Sequence, residues 1–216
     1  MQTLTQLAWK TKPHGGLIDE TVISNLFPGR SAEARKSLVH RAVTSGELTR
    51  LQPGLFCLAP PFGVGMHPFV VASVLHQPSH VSLQSALSFH GLIPEAVRQV
   101  SSVTSRRSRR LSTPLGEFTF TRVPTQHPRA GVRSVEVQPG IWTFVAGPLR
   151  AIGDLVYLSP SVRFKRDGIR FVVESLRIDP EDLRPLITDD VEEVVSTFRS
   201  RRTLEYLVGL ARELDA

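Results

Sequence analysis

Apolar residues recur at helical spacing within the segment 32–45, and the N-terminal part of the chain is organised around this helix. The residues that set the spacing are Ala34, Leu38, Val39, Ala42 and Val43. Ser31 can accept a hydrogen bond from the first helical turn, and Gly46 readily takes the left-handed conformation that ends many helices. We therefore predict a helix that begins after Ser31 and ends before Gly46.

The segment after this helix predicts a short β-hairpin. Residues 48–51 and 55–58 are predicted to be two short strands, and Gln52-Pro53-Gly54 between them favours a tight turn. Two further helices are predicted upstream, over residues 3–10 and 19–26, and the turn 28–30 separates the second of them from the central helix. Helices that lead directly into a small hairpin are the pattern of a winged helix-turn-helix, whose second helix enters the major groove of DNA.

The face of the central helix that lies opposite its apolar residues is polar and basic, and Glu33 is its only acid. Such a face suits contact with DNA, although a helix face that is merely solvated has the same composition. Arg35 projects among the apolar positions, so we expect its stem to pack and its guanidinium to reach a phosphate. We expect Arg50, in the hairpin, to contact phosphates as well. The predicted DNA-binding residues are Arg30, Ser31, Arg35, Lys36, Ser37, His40, Arg41, Thr44 and Arg50.

A Pro- and Gly-rich stretch, residues 60–65, is typical of a linker and divides the chain into two predicted domains, 1–62 and 66–216. In the second domain the predicted strands are 99–105, 117–123, 133–137 and 141–145. Its predicted helices are 68–75, 82–90, 149–158, 168–178, 180–187, 191–198 and 203–214. The fold class is therefore α+β, in which an N-terminal winged helix-turn-helix precedes a C-terminal mixed domain. That domain is a small, mainly antiparallel sheet with flanking helices.

Positive charge is concentrated in one part of the second domain. The chain carries 26 Lys and Arg against 20 Asp and Glu, a net charge of +6. Four arginines (Arg106, Arg107, Arg109 and Arg110, here called the arginine cluster) fall between two predicted strands, on what should be an exposed loop. Three interpretations of the cluster are possible. It serves solubility, it pairs with the acidic C-terminal third of the chain, or it contacts a second polyanion or a partner. These alternatives stay open at the level of sequence, although the planar guanidinium is well suited to phosphate.

Other features of the sequence limit the classes of function. Cys57 is the single cysteine, which excludes an internal disulfide and suits a reducing cytoplasm, as does a polar start without a signal-peptide pattern. No apolar run approaches the roughly 18 residues of a membrane span. His76 and His80 have metal-ligand spacing, but Pro78 between them breaks a helix. Phosphate-cradling and nucleophile-elbow motifs are absent from the sequence. We predict a cytoplasmic protein that is not an enzyme, with no catalytic residues, no metal site and no cofactor.

Four blocks of this sequence resemble the AbiEi-type antitoxins of bacterial abortive-infection and type IV toxin–antitoxin systems. The blocks are GELTRLQPGLFCLAP (46–60), HVSLQSALSFHGLIPE (80–95), VTSRRSRRLSTPLGEFTF (103–120) and, more loosely, VAGPLRAIGDLVYL (145–158). They occur in the order found in the family and span most of the chain. The second and third blocks carry most of the specificity. One departure is the segment 146–150, Ala-Gly-Pro-Leu-Arg, where the family often has a Thr-Pro-Glu-Lys-Ala-type helix start.

The resemblance implies two activities. The winged domain of this family binds inverted repeats in double-stranded DNA upstream of its own operon and represses transcription. The C-terminal domain counteracts a nucleotidyltransferase-like toxin encoded next door, without a stable toxin–antitoxin complex. The alternative is a stand-alone winged-helix regulator that has no toxin partner.

Overall fold

The computed structural model describes residues 3–13, 16–61, 63, 65–94, 99–186 and 191–215. Its N-terminal elements are α1 (Leu4–Thr11), β1 (Leu17–Asp19), α2 (Glu20–Leu26), α3 (Ala32–Thr44), β2 (Leu48–Gln52) and β3 (Leu55–Leu58). The three strands form an antiparallel sheet in the order β1-β3-β2. This is the winged helix-turn-helix that the sequence predicts, with one further strand, β1, that the sequence pattern did not reveal.

Local signals define both ends of α3. The Ser31 side chain accepts a hydrogen bond from the Ala34 N–H at 3.3 Å. At the other end the Gly46 N–H donates to Val43 O and the Glu47 N–H donates to Ala42 O, at 3.1 and 2.9 Å. Gly46 has a φ of +72°, as this pair of C-terminal hydrogen bonds requires. The predicted bounds of the helix are therefore confirmed.

The second part of the chain is built on a six-stranded sheet. Its elements are α4 (Pro68–Leu75), β4 (Ser79–Val81), α5 (Leu83–Phe89), β5 (Gln99–Thr104), β6 (Arg109–Thr113), β7 (Gly116–Arg122), β8 (Val132–Gln138) and β9 (Ile141–Ala146). The strand order is β6-β7-β5-β4-β9-β8. The β7–β5 and β4–β9 pairs are parallel and the other three pairs are antiparallel, so the sheet is mixed and mainly antiparallel.

The sheet has two strands more than the sequence predicts. Strand β4 is only three residues long, and β6 begins with two exposed arginines that the sequence pattern assigns to a loop. Charged side chains are common on edge strands such as β6, where they hinder pairing with other chains. The fold class itself is confirmed.

The helices after the sheet are α6 (Pro148–Leu158), α7 (Phe164–Asp167), α8 (Pro180–Leu183), α9 (Val191–Thr197) and α10 (Arg201–Asp215). The prediction of a continuous helix over 168–178 is wrong, because this segment contains only one wide helical turn, Phe171–Ser175. The end of the helix predicted over 180–187 lies outside the described residues. Within the described part of the chain, no helix has both the length and the apolar character needed to cross a membrane.

The two faces of the large sheet carry different helices. Thr143 faces α4, because its hydroxyl donates to Phe69 O, whereas His80 faces α6, where it lies 3.8 Å from Asp154. The apolar core of this part of the chain continues into the small sheet, through Leu17, Leu51, Leu55 and Cys57. The winged module therefore packs directly on the C-terminal module. The domain bounds 1–62 and 66–216 stay a prediction.

Candidate nucleic-acid interface

The outward face of α3 is available to a partner in the full chain. Lys36, Ser37, His40, Arg41 and Thr44 are all exposed, whereas Val39 and Ala42 on the opposite side pack into the small N-terminal core. The Arg41 Nε–H donates to Ser37 O at 3.4 Å, a bond within the helix itself. The structure thus brings the predicted contact residues of this helix together on one surface.

The guanidinium of Arg35 is engaged within the winged module. Its guanidinium donates to Glu20 Oε1 and to Arg30 O at 2.8 and 2.7 Å, and only 17% of its side chain is exposed. The stem packs as predicted, but the charged end ties α2 to the turn before α3. Arg30 lies beside this junction, with its guanidinium 5.5 Å from the centre of the Phe27 ring. Arg35 therefore orients α3, and contact with a phosphate would require it to leave Glu20.

Arg50, in strand β2 of the hairpin, is itself exposed, although its cross-strand partner Phe56 is buried in the small N-terminal core. Its guanidinium lies 5.6 Å from the centre of the Phe56 ring, on the neighbouring strand β3. Gly54, in the hairpin turn, has a φ of +78°, which a residue with a side chain rarely adopts. The hydroxyl of Ser31 is already engaged as the cap of α3. Arg50 is therefore the exposed cation of the wing, and the Ser31 hydroxyl caps α3.

The arginine cluster is divided between a loop and a strand. Arg106 and Arg107 lie in the loop, whereas Arg109 and Arg110 begin β6, and all four are exposed. The loop is held by its backbone, because the Arg106 N–H donates to Thr104 Oγ1 at 3.1 Å and the Arg107 carbonyl lies 3.1 Å from His76 Nε2. The prediction that the whole cluster is a loop is therefore wrong.

Pairing of the cluster with the acidic C-terminal third receives no support from the described residues. The Arg110 guanidinium donates to Gln99 Oε1 at 3.1 Å, and within the described ranges none of the four arginines forms an ion pair with an acid. Strand β6 contacts β2 of the wing. Because both are edge strands, Arg109 and Arg110 of β6 and Arg50 of β2 belong to the two strands at which the sheets meet. This arrangement favours a shared basic surface.

The C-terminal module contains a buried ion pair that sequence reasoning missed. Arg150 and Asp154 on α6 are both fully buried, and the Arg150 Nε–H donates to Asp154 Oδ1 at 3.2 Å. The Ser82 hydroxyl donates to Asp154 Oδ2 at 2.7 Å. Burial alone would raise the pKa of Asp154, but the charge of Arg150, the nearby His80 and the Ser82 hydrogen bond hold it below its ordinary value. The available signal was that all the other residues of α6 are apolar or small, on the side of Arg150 and Asp154 as well as on the opposite side.

Other titratable groups of the described ranges have pKa values that burial shifts. Within the described ranges, no three His, Cys, Asp or Glu side chains converge as they would around a metal ion. Burial raises the pKa of the Cys57 thiol, which disfavours the reactive thiolate. Burial also lowers the pKa of His90, whose Nε2 lies 2.9 Å from Ala146 O.

Comparison with known proteins shows the fold and no more. No family model matches the sequence, and no curated protein matches it. Among solved structures, the chain is similar to the crystal structure of the RV2827C protein from Mycobacterium tuberculosis, with a TM-score of 0.55 and 12% sequence identity. The match covers 97% of this chain and 77% of the other. At this identity the likeness extends to the architecture alone.

Proposed function

We propose that this protein is a cytoplasmic DNA-binding repressor in which α3 is the recognition helix. The observation that carries the proposal is the exposed basic face of α3, which a wing flanks within a winged helix-turn-helix. The major groove of B-form DNA admits an α-helix, and arginine and lysine commonly bind guanine edges there. Lys36 and Arg41 are the side chains of this face best suited to such contacts. Arg50 and the arginine cluster would then hold phosphates on either side of the groove.

We further propose the second activity implied by the resemblance, neutralisation of a nucleotidyltransferase-like toxin by the C-terminal module. Three of the resembling blocks lie in this module, where they form β4 and α5, the segment from β5 to β7, and α6. Two of them meet in its core, because Ser82 of one block bonds to Asp154 of another. A motif set whose members pack together supports a shared fold. Antitoxin action would be functional, without a stable complex.

Equilibrium binding to duplex DNA tests the repressor proposal. Fluorescence anisotropy is measured with the labelled region upstream of the gene, for the wild type and for Lys36→Ala/Arg41→Ala. We expect the double variant to bind more weakly, by roughly 1–3 kcal/mol for each base or phosphate that the variant no longer binds. The matched control is Lys165→Ala/Arg212→Ala, which removes the same charge from exposed positions on α7 and α10.

The comparison of the two double variants decides the result. If both double variants bind the upstream region as tightly as the wild type does, the α3 face is not the recognition surface. If the control weakens binding as much as the α3 variant, net charge rather than recognition governs the affinity.

Co-expression tests the antitoxin proposal separately. The full chain is expressed from an unrelated promoter together with the neighbouring gene, if that gene encodes a nucleotidyltransferase fold, and growth is scored. We expect Lys36→Ala/Arg41→Ala to rescue growth like the wild type while it no longer represses a reporter fused to the native promoter. Toxicity that the wild-type chain does not relieve would favour the stand-alone regulator.

A further inference from the structure

A cavity of about 510 Å³ lies in the C-terminal sheet between β4 and β9. Strand β4 pairs with β5 along its whole length, from Ser79 to Val81, but it pairs with β9 only through Val81 and Val145. Since these two strands are parallel, they diverge towards their first residues. Side chains from α4, such as Ser73, and from α6, such as Arg150, line the space from opposite faces of the sheet.

Three buried polar atoms among the residues that line this cavity have no hydrogen-bond partner within the described part of the chain. They are Arg150 Nη2, His80 Nε2 and Ser79 Oγ. The other donors of Arg150 are used, since Nε bonds to Asp154 and Nη1 bonds to Ala130 O at 2.7 Å. A buried donor without an acceptor is costly, the more so when it is charged, and most such groups in folded proteins are satisfied. The arrangement therefore favours an acceptor in the cavity, most simply an anionic oxygen.

The mouth of the cavity is aromatic and carries a second positive charge. Trp142 and Phe144 are 52% and 43% exposed, which is unusual for side chains of this size. Because Val81 pairs with Val145, the preceding residues His80 and Phe144 are level and point to the same face. The Arg129 guanidinium lies 5.4 Å from the centre of the Phe144 ring. Residues with buried donors, a cation and an exposed indole thus line one cavity.

We propose that this cavity binds a small organic anion that carries a planar ring. The anionic oxygens would accept hydrogen bonds from Arg150 and His80, Arg129 would supply further charge, and the ring would rest against Trp142. The volume lies within the range of roughly 300–1,000 Å³ that small-molecule sites occupy. Two sources share this chemistry, nucleoside monophosphates and aromatic carboxylates. The proposal concerns a site separate from the α3 face and does not depend on DNA binding.

Tryptophan emission reports on this site directly, because the chain contains only two tryptophans. In full-length Trp9→Phe, Trp142 is the single emitter. The protein is titrated with four nucleoside monophosphates, with anthranilate and indole-3-carboxylate, and with inorganic phosphate. We expect a saturable change in emission, matched by calorimetry, for one of the two ring-bearing classes. Its affinity should exceed that of inorganic phosphate by at least about tenfold. The absence of saturable binding by any ring-bearing anion at millimolar concentration would overturn the proposal.

Variants at exposed positions then locate the site without disturbing the core. Trp142→Ala and Arg129→Gln should each weaken binding by about tenfold or more, as measured by calorimetry. Their matched controls, Trp9→Ala and Arg122→Gln, change exposed residues that do not line the cavity and should bind like the wild type. Unchanged affinity in both Trp142→Ala and Arg129→Gln would show that the ligand binds elsewhere, contrary to the proposal.

Discussion

Replacement of Asp154 by asparagine would leave a buried positive charge without its counter-ion. Arg150 and Asp154 are both fully buried, and Arg150 Nε lies 3.2 and 3.3 Å from the two carboxylate oxygens. Asparagine keeps the size of the side chain but removes its charge. Loss of one partner from a buried pair costs about 3–5 kcal/mol. Since typical domains are stable by only about 5–15 kcal/mol, this is a large fraction of the total.

The chain provides a matched control for this change. Arg201 and Glu205 on α10 have the same four-residue spacing and an Nε–Oε1 distance of 2.8 Å, but their side chains are 91% and 55% exposed. Exposed pairs at this spacing contribute about 0.3–0.5 kcal/mol, so Glu205→Gln should have little effect on stability. The difference between the two variants isolates the effect of burial.

The cost of Asp154→Asn should also depend on pH. Burial opposes ionisation of Asp154, but Arg150, His80 and Ser82 outweigh it and hold its pKa below the ordinary 3.8. A carboxylate with a lowered pKa contributes its full stabilisation above the unfolded pKa, about 3.9, and loses it as the pH falls through the folded pKa. The stability difference between wild type and variant should therefore be constant near neutral pH and shrink below about pH 4.

Urea unfolding followed by circular dichroism at several pH values measures both effects. A loss at pH 7 no larger than that of Glu205→Gln would refute the reasoning, as would a difference that does not shrink in acid. The double variant Arg150→Met/Asp154→Leu should recover most of the loss, because it removes the unpaired charge rather than the packing.

Three further changes test other parts of the structure. Replacement of all four arginines of the arginine cluster by alanine should make operator binding less sensitive to salt. The slope of log K against log salt should become shallower by about 0.9 for each phosphate that is no longer bound. An unchanged slope would show that the cluster is only solvated. Gly153→Ala would place a Cβ 2.7 Å from the Phe198 ring, so thermal unfolding should show destabilisation by about 1–3 kcal/mol despite the better helix former, whereas a rise in Tm would contradict this. Ser31→Ala should cost about 1 kcal/mol in urea unfolding, and Ser31→Asp, which can still cap α3, should not.

The winged module could be predicted because its signals are local. Ser31 and Gly46 act on the backbone within a few residues, and the turn at Pro53 and Gly54 joins adjacent strands. Strands β4 and β6 could not be predicted in this way. The three residues of β4 owe their conformation to pairing with β5 and with Val145, which is far along the chain from Val81.

The difference between local signals and contacts distant in the chain also explains which site residues could be predicted. The exposed face of α3 follows from helical spacing alone, and this spacing is enough to identify Lys36 and Arg41. The engagement of Arg35 by Glu20 depends on how α2 packs on α3, and no local pattern reveals it. Arg150 and Asp154 have the spacing of an ordinary surface pair, and only their apolar neighbours indicate that they are buried.

The central claim, that α3 lies in the major groove, can be measured by tethered DNA cleavage. A cysteine introduced by Ser37→Cys carries an iron–EDTA group, while the native Cys57 stays unlabelled because it is buried and its thiol pKa is raised. We predict cuts confined to a few base pairs in each half of the operator, with the strand offset of a major-groove source. The same group at Glu205→Cys on α10 should produce no localised cuts. Tight binding by the Ser37→Cys conjugate without localised cleavage, or localised cleavage from position 205, would contradict the claim.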